Sequence, residues 1–160
     1  MKYFLEGHVN LKILVLSDTH NNIANASRLI KELDPDYTFH LGDMADDCVS
    51  LERLFPRKII ASVRGNNDFF DTSYPLERVA VIGGKTIFAC HGHKYHVKSS
   101  LLSLEYKAQE LGADIVLFGH THTSYIDISP KRIIMNPGSV SSYGIIEITD
   151  GNINARIEKI

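Results

Sequence analysis

An α/β fold is predicted for this chain of 160 residues from three patterns in its sequence. Short, nearly all-apolar runs are typical of strands that are buried on both faces. Amphipathic helical segments separate the first three of these runs, which favours parallel strands with right-handed crossovers. From Arg78 onwards, paired runs are joined by glycine turns, which predict hairpins. The length suits one cored domain, so we expect a single domain over residues 1–160, with residues 1–10 only loosely placed.

The first half of the chain is predicted to alternate strands with helices. Asn21 or Asn22 can cap the helix that follows the first strand, and an Asp-Pro-Asp sequence ends it. Asp46 or Asp47 can cap the second helix, which Pro56 terminates. The three strands are expected at residues 12–17, 37–41 and 58–63.

The second half is predicted to contain one helix, one further buried strand and several hairpins. Gly83 and Gly84 are expected to form the turn of the first hairpin, and Gly112 is expected to end the helix. A buried strand follows at residues 114–118, and the remaining residues are expected to form antiparallel hairpins. The helix begins near Ser99 or Ser100, and its apolar face comprises Leu101, Leu104, Ala108 and Leu111.

Composition argues against several classes of protein. No apolar run approaches the roughly 18 residues of a membrane span, and Glu6 and His8 interrupt the segment where a signal peptide would be apolar. Cys48 and Cys90 are the only cysteines, which argues against a disulfide framework and suits a reducing compartment. We therefore expect a cytoplasmic protein without membrane association.

The charge of the chain bears on its partners. A net charge of -2, a pI near 6.4 and the absence of a basic stripe leave little surface for extended nucleic acids. A small anionic substrate, such as a phosphate ester, is compatible with this charge, and the sequence allows a homo-oligomer without predicting one.

Residues that can bind a metal follow each predicted buried strand. In α/β sheets ligands bind beyond the carboxyl ends of the strands, so we expect these side chains to converge. Histidine nitrogens together with carboxylate and amide oxygens suit Mn, Fe, Zn or Ni better than Ca. The residues concerned are Asp18, His20, Asp43, Asn66, His91, His120 and His122.

Each of these groups also has a simpler interpretation when it is taken alone. The short Asp- and Asn-containing sequences resemble ordinary turns, and the two histidine pairs could lie on the surface. His40 is predicted to be a hydrogen-bonded histidine that lies in the core or supports a ligand, rather than a ligand itself. Arg64 is expected to be a structural donor, with a phosphate contact as the alternative, whereas His8 and His96 are expected on the surface. Five such groups, all at strand ends, are hard to explain as chance.

Five motifs occur in order along the chain: Asp18-x-His20, Gly42-Asp43-x-x-Asp46, Gly65-Asn66-Asn67-Asp68, His91-Gly92-His93 and Gly119-His120-Thr121-His122. In order and spacing they resemble the calcineurin-like metallophosphoesterases. The compact length and the sequence Asn-Pro-Gly-Ser at 136–139 are most similar to the small bacterial and archaeal phosphodiesterase branch. The resemblance implies a four-layer αββα sandwich in which two mixed β-sheets are flanked by helices.

The same resemblance implies two divalent metal ions, with Mn expected and Ni, Fe or Zn as alternatives. Asp43 would bridge the two ions, so that a hydroxide between them could attack a small phosphodiester in line. The first ion would be bound by Asp18, His20, Asp43 and His122, and the second by Asp43, Asn66, His91 and His120.

Three residues near the ligands are predicted to act in catalysis together with Asp43. His93 follows a ligand on the same loop and could contact the phosphate or support a ligand, with a surface histidine as the alternative. Asn67 stands where many relatives have histidine, and it can donate a hydrogen bond but no proton, so we expect a preference for acidic leaving groups. Asp68 could support a ligating histidine or only close its loop.

The expected function is that of a metal-dependent phosphodiesterase, a hydrolase of ester bonds. One alternative is a non-catalytic scaffold, as in the retromer subunit that shares the compact fold. Such scaffolds tend to lose ligand positions, and all seven are chemically intact in this sequence. The other alternative is a nuclease, which the acidic pI disfavours.

Overall fold

The computed structural model describes residues 9–68 and 72–160. Most of the segment predicted to be loosely placed, and the prediction for His8, therefore lie outside the described residues. The strands are β1 Asn10–Leu16, β2 Tyr37–His40, β3 Ile59–Ser62, β4 Glu77–Ile82, β5 Lys85–Cys90, β6 Ile115–Leu117, β7 Tyr125–Ile128, β8 Ile133–Asn136, β9 Ser142–Thr149 and β10 Asn152–Lys159. The α-helices are α1 Ile23–Leu33, α2 Ala45–Leu54 and α3 Leu102–Glu110, and His93–Tyr95 form a short 3-10 helix.

The strands form two mixed sheets of five strands each. The first sheet has the order β10-β9-β1-β2-β3, in which β1, β2 and β3 are parallel and β9 runs antiparallel to β1. The second has the order β4-β5-β6-β8-β7, in which β5, β6 and β8 are parallel. The predicted α/β fold of two mixed sheets with flanking helices is confirmed. In the described residues, no helix is both long enough and apolar enough to span a membrane.

Apolar side chains separate the layers of the sandwich. One cluster lies between the two sheets and takes buried residues from β1, β2 and β9 on one side and from β5, β6 and β8 on the other. A second packs α3 against the outer face of the second sheet, and a third packs α1 and α2 against the outer face of the first. Of the predicted apolar face of α3, Leu104 and Ala108 are fully enclosed, whereas Leu101 and Leu111 flank the helix and are partly buried against the same cluster.

Two predictions about local structure were wrong. Neither Asp46 nor Asp47 caps α2, because the N-cap is Met44 and both aspartates lie in the first turn. The last third of the chain is not made of antiparallel hairpins alone, since β8 also pairs in parallel with β6. The hairpin with Gly83 and Gly84 at its turn is confirmed, because β4 and β5 pair antiparallel across it.

Candidate metal centre

The predicted ligands converge at the carboxyl ends of strands from both sheets. Asp18, His20, Asp43 and Asn66 follow β1, β2 and β3, whereas His91, His120 and His122 follow β5 and β6. The two sets meet because the sheets are stacked with these strand ends at the same side, which is the convergence that the sequence pattern predicts.

Among residues 9–68 and 72–160, two groups of side chains could each hold a metal ion. In each group the potential ligand atoms lie within 4.8 Å of one another, and Asp18 belongs to both groups. Asn66 and His120 lie beside the second group, because Asn66 Oδ1 is 3.1 Å from His91 Nε2 and the rings of His91 and His120 are 5.0 Å apart. The groups are Asp18, His20 and His122, and Asp18, Asp43 and His91.

The backbone at the ligands is strained in a consistent way. Five of the seven predicted ligands have positive φ angles between 47° and 69°. For residues other than glycine this left-handed conformation costs of order 1–3 kcal/mol, and it is found where a site imposes it. It turns the chain sharply at each strand end. The five residues are Asp18, His20, Asp43, His120 and His122.

Two glycines permit the loops to approach one another closely. A Cβ atom at Gly65 would lie 2.0 Å from Asp43 Oδ1, and one at Gly119 would lie 2.1 Å from Ser17 Oγ. The carboxylates of Asp18 and Asp43 therefore occupy space that any larger residue at these two glycines would fill.

Asp18 is a fully buried carboxylate with an oxygen that lacks a hydrogen bond. The hydroxyl of Ser17 and the backbone N–H of His120 both donate to Asp18 Oδ2. Within residues 9–68 and 72–160, Asp18 Oδ1 accepts no hydrogen bond, although His122 Nε2 lies 3.0 Å away. A buried carboxylate oxygen in this state is costly unless a cation compensates it, so the donor set fits a divalent metal ion.

Asp43 is held by the loop that follows β3. The backbone N–H of Asn67 donates to Asp43 Oδ1 at 3.0 Å, and its side-chain amide donates to Oδ2 at 2.8 Å. Burial favours the neutral acid, but the hydrogen bond from His91 and that from the Asn67 backbone lower the pKa of Asp43 to about 2. Asp43 is therefore ionised at neutral pH, and the amide of Asn67 is already engaged with it.

The histidines of the second sheet differ in their proton affinity. Burial opposes protonation of His91, but the hydrogen bond to Asp43 and its charge outweigh burial and raise the pKa of His91. Burial, the nearby His91 and the positive charge of Lys98 lower the pKa of His120 to about 4. Neutral imidazole is the form that binds a metal, so His120 is already in its ligand form at neutral pH.

Asp68 fixes the loops through backbone amides. Its carboxylate accepts hydrogen bonds from the N–H groups of Gly65, Asp43, Met44 and Ala45 at 2.7–3.0 Å. The last two amides belong to the start of α2, so Asp68 supplies the cap that the helix's own aspartates do not. In the described residues its hydrogen bonds go to backbone rather than to a ligating histidine, which favours the loop-closing interpretation.

A buried hydrogen-bond network lies behind Asp18 and His20. The sequence predicts a role for His40 in this region but not its contact with Thr19 or that of Thr19 with Asp47. His40 Nε2 lies 3.0 Å from the hydroxyl of Thr19, which donates to Asp47 Oδ2 at 2.5 Å. The backbone N–H of Gly42 donates to His40 Nδ1, so the proton of the neutral ring lies on Nε2 and points at Thr19. His40 thus supports the first ligand loop from the core, in line with its predicted role. Asp47 is adjacent to Asp46 of the second motif, and the spacing of the motif gives no indication that Asp47 has a role.

Comparison with known proteins places this architecture in a family. Residues 11–149 match the model of the calcineurin-like phosphoesterase superfamily domain. The chain belongs to this superfamily. A probable metallophosphoesterase of Bacillus subtilis, YsnB, is 32% identical over 133 residues, which cover 81% of this chain and 75% of the relative.

Solved structures agree with the family assignment. A conserved uncharacterized protein of Streptococcus pneumoniae, a predicted phosphoesterase, has a TM-score of 0.81 with 28% identity and covers 96% of this chain and 91% of its own. An archaeal phosphodiesterase has a TM-score of 0.75 with 21% identity, covering 94% and 100%. Vps29 of Entamoeba histolytica in complex with zinc has a TM-score of 0.69 with 20% identity, covering 93% and 99%. At such identities the last two show the fold alone.

His93 lies beside the candidate metal centre of this calcineurin-like phosphoesterase, and Arg64 is near enough to His93 for its charge to act on that ring. His93 lies near two predicted ligands, with its ring centroid 5.5 Å from that of His91 and 6.1 Å from that of His120. His93 Nδ1 and Arg64 Nε are both buried and have no hydrogen-bond partner among the described residues. Burial, then His91 and Arg64, lower the pKa of His93, so its ring is neutral at neutral pH.

The loop with the sequence Asn-Pro-Gly-Ser at 136–139 holds the two histidines of the last motif in place. The side-chain amide of Asn136 donates to Gly119 O at 3.0 Å and to Thr121 Oγ1 at 2.9 Å. Ser139 Oγ donates to the carbonyl oxygen of Asp18. The loop therefore fixes the backbone around His120 and His122 and connects it to the end of β1.

Proposed function

We propose that this protein is a phosphodiesterase that uses two divalent cations to hydrolyse small phosphodiesters. The observation that carries the proposal is Asp18, a buried carboxylate with an unpartnered oxygen that is shared by two groups of ligands. A cation on each group would compensate two buried carboxylates, Asp18 and Asp43, that are otherwise costly to enclose.

The ligand scheme that we propose combines the geometry with the family resemblance. Asp18, His20 and His122 hold one ion, Asn66, His91 and His120 hold the other, and Asp43 lies between them. In the structure Asp18 is the residue that belongs to both groups, whereas Asp43 belongs to the second group, so the bridging position of Asp43 rests on the family resemblance. Mn is the preferred ion, since the ligands mix nitrogen and oxygen; Ni, Fe and Zn are the alternatives.

The chain's own residues contribute binding and charge. When bound, a pair of divalent cations activates water and stabilises the attacking and leaving oxygens of an in-line displacement. The ring of His93 lies beside those of His91 and His120, which makes His93 the proposed hydrogen-bond partner of a phosphoryl oxygen. Asn67 fixes Asp43 and supplies no proton, which favours substrates whose leaving oxygen needs none.

A diester is the proposed substrate in preference to a protein phosphomonoester. The archaeal phosphodiesterase supports this choice through its similar fold. The lowered pKa of His93 makes it a poor proton donor to a leaving group at neutral pH, and aryl diesters depart without such help.

The test is hydrolysis of bis(p-nitrophenyl) phosphate and of p-nitrophenyl phosphate by the purified protein. Each reaction is run with a chelator and after addition of Mn²⁺, and the bound metal is counted by mass spectrometry. We expect Mn-dependent cleavage of the diester, slower cleavage of the monoester, and two ions per chain.

Each alternative outcome has a distinct meaning. Preference for the monoester would refute the diester assignment, and a single bound ion would refute the two-cation centre. Two bound ions without cleavage of either ester would favour the non-catalytic scaffold alternative.

A further inference from the structure

A cleft lies next to the loop that carries His120 and His122. Its volume is about 370 Å³, which falls in the range of small-molecule sites. A dry cavity of about 150 Å³ is enough to bind benzene, so this cleft has room for a ring. Its walls include Val97, Leu101, Phe118, Tyr125, Lys98 and Thr121.

The cleft and the candidate metal centre share one stretch of chain. Phe118 ends the run that leads into the last motif, and Thr121 stands between the two histidines. Both residues form part of the cleft wall. The hydrogen bond from Asn136 to Thr121 Oγ1 holds this wall in place at 2.9 Å. A ligand that reaches His120 and His122 through its phosphate therefore has the cleft directly beside it.

The cleft offers an aromatic surface that the fold does not cover. The rings of Phe118 and Tyr125 are 6.2 Å apart and tilted by 57°. Phe118 is buried, whereas Tyr125 is 42% exposed on the edge strand β7. Aromatic groups are stabilised by tilted or offset contacts with rings at such distances. A ring in the cleft would contact Tyr125 and the apolar side chains of Val97 and Leu101.

The charge at the cleft suits an anion. Lys98 lines the same cleft as Thr121, the residue that stands between His120 and His122. An ammonium at the boundary between cleft and metal centre attracts a phosphate ester anion while leaving the apolar walls free for its substituent.

We infer that this cleft, defined by Val97, Leu101, Phe118 and Tyr125, binds a ring-sized apolar group of the phosphate ester substrate. The inference rests on the proposed function and deepens it, because it specifies diesters with an aryl substituent over those with a small alkyl one. The substituent in the cleft is the one that stays on the phosphorus, while the other ester oxygen leaves.

The experiment compares p-nitrophenyl phenyl phosphate with p-nitrophenyl methyl phosphate, which share a leaving group, in the presence of Mn²⁺. Wild type is expected to show a kcat/KM for the phenyl ester about tenfold above that for the methyl ester, from burial of the ring. Tyr125→Ala should reduce this ratio about threefold or more without lowering kcat/KM for the methyl ester. Ser99→Trp, at an exposed serine of the cleft wall, should reduce the ratio by obstruction.

The control is Tyr106→Ala, which removes an equally large side chain that is 65% exposed on α3 and takes no part in the cleft wall. The ratio of kcat/KM for the phenyl ester to that for the methyl ester should be the same in Tyr106→Ala as in wild type. Because every variant is compared through this ratio, the intrinsic difference in reactivity between the two esters cancels. Metal-dependent cleavage with the same ratio in all four proteins would overturn the cleft assignment and leave the proposed function standing.

Binding separates the two proposals if neither ester is cleaved. The Mn-loaded protein is then titrated with phenylphosphonate and with methylphosphonate by calorimetry. Tighter binding of the phenyl compound that is lost in Tyr125→Ala would support the cleft although the activity is absent. Equal binding of both compounds, or a preference that survives in Tyr125→Ala, would refute it.

Discussion

His91 Nδ1 lies 2.7 Å from the carbonyl oxygen of Leu41, to which it donates a hydrogen bond across the two sheets. His91 follows β5 of the second sheet, whereas Leu41 follows β2 of the first. Because Nδ1 keeps its proton in this contact, the other ring nitrogen is the one available to a metal. That nitrogen, Nε2, lies 3.4 Å from Asp43 Oδ2 and 3.1 Å from Asn66 Oδ1. The backbone of one sheet thus orients a ligand of the other.

Asp43→Ala should abolish most of the metal-dependent hydrolysis. The substitution removes a carboxylate of the second group, which the proposed scheme places between the two ions, so we expect at least one ion per chain to be lost. Metal content by mass spectrometry and turnover of the aryl diester measure the effect. The matched control is Asp127→Ala, at an exposed position of β7, which should keep both ions and full activity. An Asp43→Ala protein with two ions and wild-type turnover would refute the ligand scheme.

Asn67→His should raise turnover of alkyl esters relative to aryl esters. A histidine at this position can protonate an alkoxide leaving group, whereas a nitrophenolate leaves without a proton. The substitution also removes the amide that donates to Asp43. Asn67→Ala separates the two effects, because it loses the same hydrogen bond and gains no acid. The measured quantity is the ratio of kcat/KM for the two ester types, and a ratio shared by Asn67→His and Asn67→Ala would contradict the prediction.

Asp68→Asn should destabilise the fold by about 2–4 kcal/mol. The carboxylate accepts hydrogen bonds from four backbone N–H groups, and an amide nitrogen in place of one oxygen would face donors with a donor. Urea unfolding in the presence of chelator measures the free energy of unfolding without contribution from metal. Asp46→Asn is the control, since Asp46 is exposed in the first turn of α2 and should cost less than about 1 kcal/mol. Equal stabilities of the two variants would show that the four hydrogen bonds to the Asp68 carboxylate contribute little to stability.

Stability of the metal-free protein should fall as the pH is lowered from 6.5 towards 4. Burial lowers the pKa of His40 to about 4 from an ordinary 6.5, against the raising effect of Asp47, Asp18 and Asp68. Between pH 6.5 and 4, His40 therefore binds a proton in the unfolded chain but not in the folded protein. The free energy of unfolding falls by up to about 3 kcal/mol as a result.

His40→Gln isolates this contribution. Glutamine keeps a donor for Thr19 and does not titrate, so the variant should be less stable at pH 7 but should lose less stability between pH 6.5 and 4. His120 has a pKa of about 4 as well, and its contribution is common to both proteins. Chemical unfolding at each pH gives the two curves. Parallel curves would assign the pH dependence to groups other than His40.

Most of the architecture could be predicted from periodicity and turn chemistry. The buried runs at β1 and β6 consist mainly of apolar residues, which predicts interior strands, and Gly83-Gly84 predicts the turn of the first hairpin. The parallel pairing of β8 with β6 could not be predicted, because register between distant strands depends on the packing of the whole sheet. The cap of α2 could not be predicted either, because Asp68 belongs to a loop that is distant in sequence from the start of the helix.

The candidate site shows a similar division. Residue type and position at strand ends were enough to predict that Asp18, Asp43 and His91 would come together. The left-handed backbone at the ligands carries no mark in the sequence, because aspartate and histidine adopt it only where neighbouring loops require it. The contact of Asn67 with Asp43 likewise depends on how the loop after β3 folds over the loop after β2. The roles of His93, Asn67 and Asp68 in catalysis stay predictions.

The division of ligands between the sheets has a consequence for how the protein opens. Four predicted ligands belong to loops of the first sheet and three to loops of the second, so cations bound as proposed would act as a removable cross-link between the two halves of the sandwich. Their withdrawal would leave the interior packing between the sheets intact but would free the strand ends at one edge. Amide hydrogens at the carboxyl ends of β1, β2, β5 and β6 would then exchange faster, while those at the opposite edge keep their protection.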